Sequence, residues 1–293
     1  MNVASWASFA NVRSRFMQQQ ITDSLIIIAG KGVYPLELAA SARAQGVKRL
    51  AAVAFPGETE KSIARLVDEV AWIKLGQYAA MLDAMRATKI PAAVMAGQIS
   101  PTALFRVRPD AAFFALLGRL PEKNAETIFG AVGDDLKKIG IELLAAHRFM
   151  EKSMPEPGLL TATAPTESQQ RDIELGLQVA KTTSGLEIGQ TVVVKEGTIL
   201  AVEAFEGTDA TILRAGELGG AGSVVVKVAK RGHDMRFDIP VIGERTLKML
   251  KKACAAVIAV EAHRTIVLDR ANFIAQAGRQ NLCVIAIPTQ DTP

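Results

Sequence analysis

Cysteine and histidine are scarce in this 293-residue chain, two and three in number, and the scarcity removes whole classes of chemistry. His147, His233 and His263 are scattered, and neither Cys254 nor Cys283 stands in a CxxC pair, so no zinc-ligand spacing exists. Both cysteines sit in apolar runs, KKACAAVIAV and NLCVIAI, where free buried thiols in a reducing compartment are expected. No G-x-S-x-G occurs, which disfavours a serine hydrolase. The longest apolar runs, such as LIIIAG and VVVKVA, fall far short of the roughly 20 residues a membrane span needs. Nor is there a dense Lys/Arg run or an aromatic-interleaved basic stripe, so nucleic acid is not indicated. The net charge of +4 suits an anionic small molecule or an acidic membrane surface equally well. A cytoplasmic protein is expected.

What is present is a globular composition, 49% hydrophobic and 22% charged, with material for two ordinary cores. Residues 1–24 contain no continuous apolar stretch and are expected to be an N-terminal extension, a mis-assigned start being favoured over a membrane-touching tail anchored by Trp6, Phe9 and Phe16. From Leu25 short apolar runs alternate with helical segments: LIIIAG, RLAAVAF, EVAWIKL and AAVMAG as strands, with helices over 35–46 and around 78–87. That alternation predicts a parallel, doubly wound, Rossmann-like sheet over 25–154. The prolines and glycine of 155–160 predict a linker. A second, smaller mixed α/β domain follows over 161–293, opened by a helix with the cap-like TESQ. It contains a hairpin, TVVVKEGTILAVEA, turning at Glu196-Gly197. The apolar helices AAFFALLGRL and LKMLKKACAAV are expected to be core rather than a ligand groove.

Chemistry-bearing residues gather in four places. AGKGVYP places Gly30 and Gly32 in a strand-to-helix turn suited to phosphate, but the third glycine of the dinucleotide fingerprint is replaced by Pro35 and no ribose-binding acid follows the second strand. A nicotinamide-dependent oxidoreductase is therefore disfavoured. AGQIS ends a later strand on the side where open parallel sheets bind ligands, and in GDDLKK the acids Asp134 and Asp135 point in different directions on a helix, which favours a solvated or capping role. In DMRFDIP, Asp234, Arg236 and Asp238 would share one face of an extended backbone, with Lys227 and Lys230 just upstream. The corner VEAFEGTDATILRAG collects Glu203, Glu206 and Asp209, with Thr208 as the expected helix cap. Carboxylates in one short loop repel unless a cation holds them, and oxygen ligands alone point to Mg²⁺ or Mn²⁺ together with phosphate. A non-catalytic module for a phosphorylated ligand stays open as an alternative.

VEAFEGTDATILRAG, VVVKVAKRGHDMRFDIPVIG and LIIIAGKGVYPLELA, with AGQISP, GDDLKKIGIELL and LEIGQTVVVKEG in the same order, resemble the LpxI-type UDP-2,3-diacylglucosamine pyrophosphatase family. The resemblance runs from Leu25 to Ile287. It implies a Gram-negative lipid A biosynthetic enzyme, two domains with the ligand between them, and a homodimer. The implied reaction is Mg²⁺-dependent hydrolysis of UDP-2,3-diacylglucosamine, a lipid-linked UDP-sugar, to 2,3-diacylglucosamine 1-phosphate (lipid X) and UMP. Water would attack the phosphorus nearer the sugar, and peripheral contact with the inner membrane is left open. The resemblance implies catalysis by Asp209. The joint expectation takes Glu203, Glu206, Asp209 and Asp234 as metal candidates and Gly30, Gly32, Thr208, Lys227, Lys230 and Arg236 as substrate partners. Where the family usually reads K-P-x-Q-D, this chain has Lys230-Arg231-Gly232-His233-Asp234. The departure puts a titrating group, His233, beside the expected site.

Overall fold

The computed structural model describes residues 22–99, 108–122, 124–230, 234–237 and 239–288. Most of the N-terminal extension, Arg231 to His233 and Asp238 therefore lie outside the described residues.

The first apolar runs form a five-stranded parallel sheet, β1 (Ser24–Ala29), β2 (Arg49–Ala54), β3 (Glu69–Trp72), β4 (Ala92–Ala96) and β5 (Glu142–Leu143), in the order β3-β2-β1-β4-β5. Strand residues alternate between faces, and here both faces are covered. Leu25, Ile27 and Ala29 enter one apolar cluster while Ile26 and Ile28 enter another. Burying such a side chain contributes about 1.5–3 kcal/mol, which explains why β1 reads as an unbroken apolar run. The covering helices are α1 (Tyr34–Ala44), α2 (Tyr78–Ala87), α3 (Ala111–Gly118) and α4 (Ala125–Lys138). Leu116 of α3 is fully buried whereas Phe114 is 61% exposed, so that helix is core on one side only. Strand order reverses between β1 and β4, which brings the turns after them together. Gly30 N–H donates to Ala96 O at 2.7 Å and Lys31 N–H to Gln98 O at 2.7 Å. A Cβ on Gly30 would lie 2.8 Å from Gln98 O, so only glycine permits this approach.

The second sheet is mixed, in the order β6-β13-β11-β9-β7-β8. Its strands are β6 (Gly158–Leu159), β7 (Thr191–Lys195), β8 (Thr198–Val202), β9 (Val224–Lys227), β11 (Val257–Glu261) and β13 (Cys283–Ile287); β10 (Val241–Ile242) and β12 (Ile266–Val267) form a separate pair. Its helices are α5 (Glu167–Gly185), α6 (Thr208–Gly219), α7 (Glu244–Lys252) and α8 (Arg270–Arg279). Thr166 caps α5 in a reciprocal box with Gln169. The hairpin turns at Glu196 and Gly197, both at positive φ, and Asp172 accepts both turn N–H groups at 2.9 and 2.7 Å. Leu247, Leu250 and Ala253 of the α7 region are core.

Gly158 and Leu159, at the end of the segment expected as a linker, pair with Ala286 and Ile285 at the sheet edge. Two local expectations fail. Cys254 is exposed; Cys283 is buried, and burial pushes its thiol up to about 11. Residues 235–237 form a turn rather than a strand, so no extended ladder forms there. Alternation of charge was a poor guide because a turn stabilised by one side-chain pair produces the same spacing. Met235, Ile239, Ile266 and Leu268 pack into an apolar cluster of the first sheet, and Ala146 N–H donates to Met235 O at 2.6 Å. The two halves thus share a core along this seam.

Candidate functional site

The carboxyl edge of the second sheet carries the densest set of buried polar groups. Thr191 at the start of β7 faces Lys227 at the end of β9, and β8 runs out beside them into Glu203. Lys227 is only 5% exposed and Glu203 8%, yet neither is paired directly with an opposite charge among the described residues. Thr208 joins them instead. Lys227 Nζ donates to Thr208 Oγ1 at 2.6 Å, and Thr208 Oγ1 donates to Glu203 Oε1 at 2.9 Å. The expected cap is thereby corrected: Gly207, at φ 82°, is the N-cap of α6 and makes no side-chain cap, while Thr208 is the first helical residue and its hydroxyl serves the buried pair. Gly189 packs on Glu203, where a Cβ would lie 2.1 Å from the Glu203 carbonyl oxygen, so the loop after α5 closes over the corner.

The acids of the corner do not converge. Glu206 accepts from Arg214 at 2.7 Å and from Thr211 at 3.3 Å; the hydrogen bond from its own N–H, then Arg214, hold its carboxyl below the usual range. Asp209, in the first turn of α6, is ion-paired with Arg245 of α7, whose side chain is 74% exposed. Glu203 keeps Oε2 buried with no hydrogen-bond partner among the described residues. Asp234 is gripped by Arg236 through contacts of 2.6 to 3.0 Å, and that pairing raises the Arg236 guanidinium above its ordinary value. No group of three or more Asp, Glu, His or Cys side chains among the described residues is arranged to hold a metal ion.

The seam between the halves meets this edge. Lys230 lies between Glu126 of α4 and Glu187 of the loop after α5. Gly133 of α4 leaves room for Arg236, since an added Cβ would stand 3.2 Å from the guanidinium. Thr208, Lys227, Glu203 and Asp209 are therefore neighbours, Lys230 and Arg236 lie along the seam, and Gly30 and Gly32 belong to the switch-point turn of the first sheet. Sequence reasoning missed Arg245, Arg214, Glu126 and Glu187, because a lone charge on a helix or loop gives no local sign of a partner distant in sequence. It also missed Lys181 and Glu261, although a lysine on the apolar face of a helix and a glutamate ending an all-apolar strand are signals it could have used.

The family models describe the same two halves: the LpxI N-terminal domain matches residues 24–153 and the LpxI C-terminal domain residues 156–285. The chain belongs to the LpxI family. A relative from Caulobacter vibrioides, named UDP-2,3-diacylglucosamine pyrophosphatase LpxI, is 33% identical over 282 residues, 91% of this chain and 98% of that protein. Two solved structures overlap this chain in part. The biotin carboxylase domain of Hydrogenobacter thermophilus 2-oxoglutarate carboxylase is 12% identical at a TM-score of 0.26, covering 68% of this chain and 41% of that one. The biotin carboxylase subunit of pyruvate carboxylase gives the same score over 63% and 38%. Neither overlap bears on the chemistry of this LpxI-family protein. No helix among its described residues is long and apolar enough to cross a membrane.

Proposed function

We propose that this LpxI-family protein hydrolyses the pyrophosphate of UDP-2,3-diacylglucosamine to 2,3-diacylglucosamine 1-phosphate and UMP in lipid A biosynthesis. The observation that carries the reading is the match to the Caulobacter enzyme over 98% of that enzyme's length, spanning both halves and the corner between Glu203 and Asp209. The chemistry of the corner agrees with it. A diphosphate carries dispersed negative charge and needs donors and cations already in place. The start of α6 has no side-chain cap on its first N–H groups, Lys227 donates to Thr208 and Arg245 pairs with Asp209 in its first turn, and Lys230 and Arg236 stand along the seam.

In this mechanism Lys227, fixed through Thr208, holds a phosphate oxygen at the helix start. Asp209 turns from Arg245 to orient the attacking water and accept its proton, while Arg245 neutralises phosphoryl charge. Water adds to the phosphorus nearer the sugar, the bridging P–O bond breaks, and UMP leaves with that oxygen. Hard oxygen donors at Asp209 and the unpaired Glu203 Oε2 fit one Mg²⁺ bound chiefly through substrate phosphates, and they do not fit a full protein cage. Mg²⁺, or Mn²⁺ in its place, supplies Lewis-acid stabilisation of phosphoryl charge. The same reading has the protein act as a cytoplasmic homodimer that meets its diacylated substrate at the inner-membrane surface.

Turnover of UDP-2,3-diacylglucosamine with Mg²⁺ in ¹⁸O-labelled water tests this. The expected result is UMP release with label in the sugar phosphate. No UMP above background would overturn the reading, and label in UMP would move the attack to the other phosphorus.

A further inference from the structure

The geometry points to Lys181 and Glu261 as a buried positioning pair that sets where Lys230 stands at the carboxyl edge of the second sheet. Lys181 lies on the sheet-facing side of α5 and Glu261 ends β11; their side chains are 3% and 0% exposed and 2.7 Å apart. Charges this deep are costly unless they are paired and hydrogen-bonded, and apolar residues of similar size are often as stable. What this pair does besides neutralising itself is specific. β9 stays paired with β11 as far as Lys227 opposite Val260, and then the chain diverges. Val228 N–H continues the ladder with β7 by donating to Gln190 O, while on the β11 side neither polar group of the buried Ala229 meets a backbone partner among the described residues. Glu261 Oε2 accepts the Ala229 N–H at 2.5 Å, and Lys181 Nζ donates to the Ala229 carbonyl at 2.8 Å. One ion pair clamps one peptide from both sides.

The residue that follows is Lys230, which the chain delivers to Glu126 and Glu187 at the seam. A cation set down by two fixed hydrogen bonds is held in place before the diphosphate arrives, and a misplacement of about 1 Å at such a position can cost on the order of a hundredfold in rate. The inference rests on the proposed pyrophosphatase reading only for the role of Lys230. The clamp itself acts on the backbone.

The test uses the full-length protein with Lys181→Met and Glu261→Leu combined, and Lys181→Leu and Glu261→Met combined as a second variant, each checked for cooperative melting. The Ala229 amide should exchange with solvent at least about tenfold faster than in the wild type, while the amides of Val224 to Val226 keep their protection. Lys230→Ala should raise KM about tenfold in the wild type and less than about twofold in the clamp variant, because the lysine is already displaced there. Unchanged Ala229 exchange in either folded variant would overturn the clamp, as would an equal cost of Lys230→Ala in both backgrounds. If the wild type releases no UMP, the pyrophosphatase reading falls while the exchange experiment alone still decides the clamp.

Discussion

Thr208 is the smallest group on which the corner depends. Its hydroxyl accepts from Lys227 and donates to Glu203, so two nearly buried ionic side chains share one oxygen. Thr208→Val keeps the shape and removes the oxygen, leaving both groups unsatisfied. A loss of about 1–3 kcal/mol is expected in urea unfolding, with Thr208→Ser near wild type. A valine variant of full stability would mean that Lys227 and Glu203 find other partners. Asp209→Asn isolates chemistry from packing, because its neighbour Arg245 is mostly exposed and the fold loses little with the pair. Its turnover should fall by about two to four orders of magnitude with melting unchanged, and turnover within a factor of about two would remove the role given to Asp209. The sequence showed that three acids stand together here. It did not show that Glu206 belongs to Arg214 and Asp209 to Arg245, since those partners are supplied by helical packing.

At the scale of elements, Asp135 of α4 ties three helices together. It accepts from Tyr78 of α2 at 3.1 Å, from Arg119 at the end of α3 at 2.7 Å and from Lys138 at 2.9 Å. Burial is the largest single influence and acts to raise its carboxyl, but the three hydrogen bonds together outweigh it, and the net position is below the ordinary value. A carboxyl lowered on folding contributes stability that is present above its unfolded value and lost as pH falls through the folded one. Asp135→Asn should therefore cost about 1–3 kcal/mol at neutral pH. The gap between variant and wild type should close as the medium is acidified below about pH 4. Chemical unfolding at stepped pH measures this, and a gap independent of pH would show that charge is not what binds the helices. Elements of this kind were legible from sequence: the first four strands of the first sheet, α2, α5 and the hairpin at Glu196-Gly197 follow from apolar runs, caps and turn residues, whereas β5 lies in a stretch that reads as helix. The turn at 235–237 was not legible, because the Arg236–Asp234 pair that stabilises it mimics the alternation of a strand.

At the scale of the molecule, the two sheets were readable from the alternation of strands and helices, whereas the seam between them was not. Ile239, Ile266 and Leu268 look like ordinary core residues of the second half and pack instead on the first. Lys230 looks like a free phosphate ligand and lies between an acid from each half. This organisation bears on the metal. Asp209 and Asp234 are held by Arg245 and Arg236, and Glu206 by Arg214, so the fold balances these carboxylates with its own cations. A metal engaged chiefly through substrate phosphates would then matter to turnover and not to folding. Chelation should abolish hydrolysis, with recovery on adding Mg²⁺, and should leave the melting temperature within about 1 °C of the untreated protein, where losing even 1 kcal/mol would lower it by several degrees per small domain. A fall of several degrees on chelation would place the ion inside the fold and return Glu206 and Asp234 to consideration as its ligands. Unchanged turnover would instead leave the arginines and lysines of the seam as the sole source of positive charge for the diphosphate.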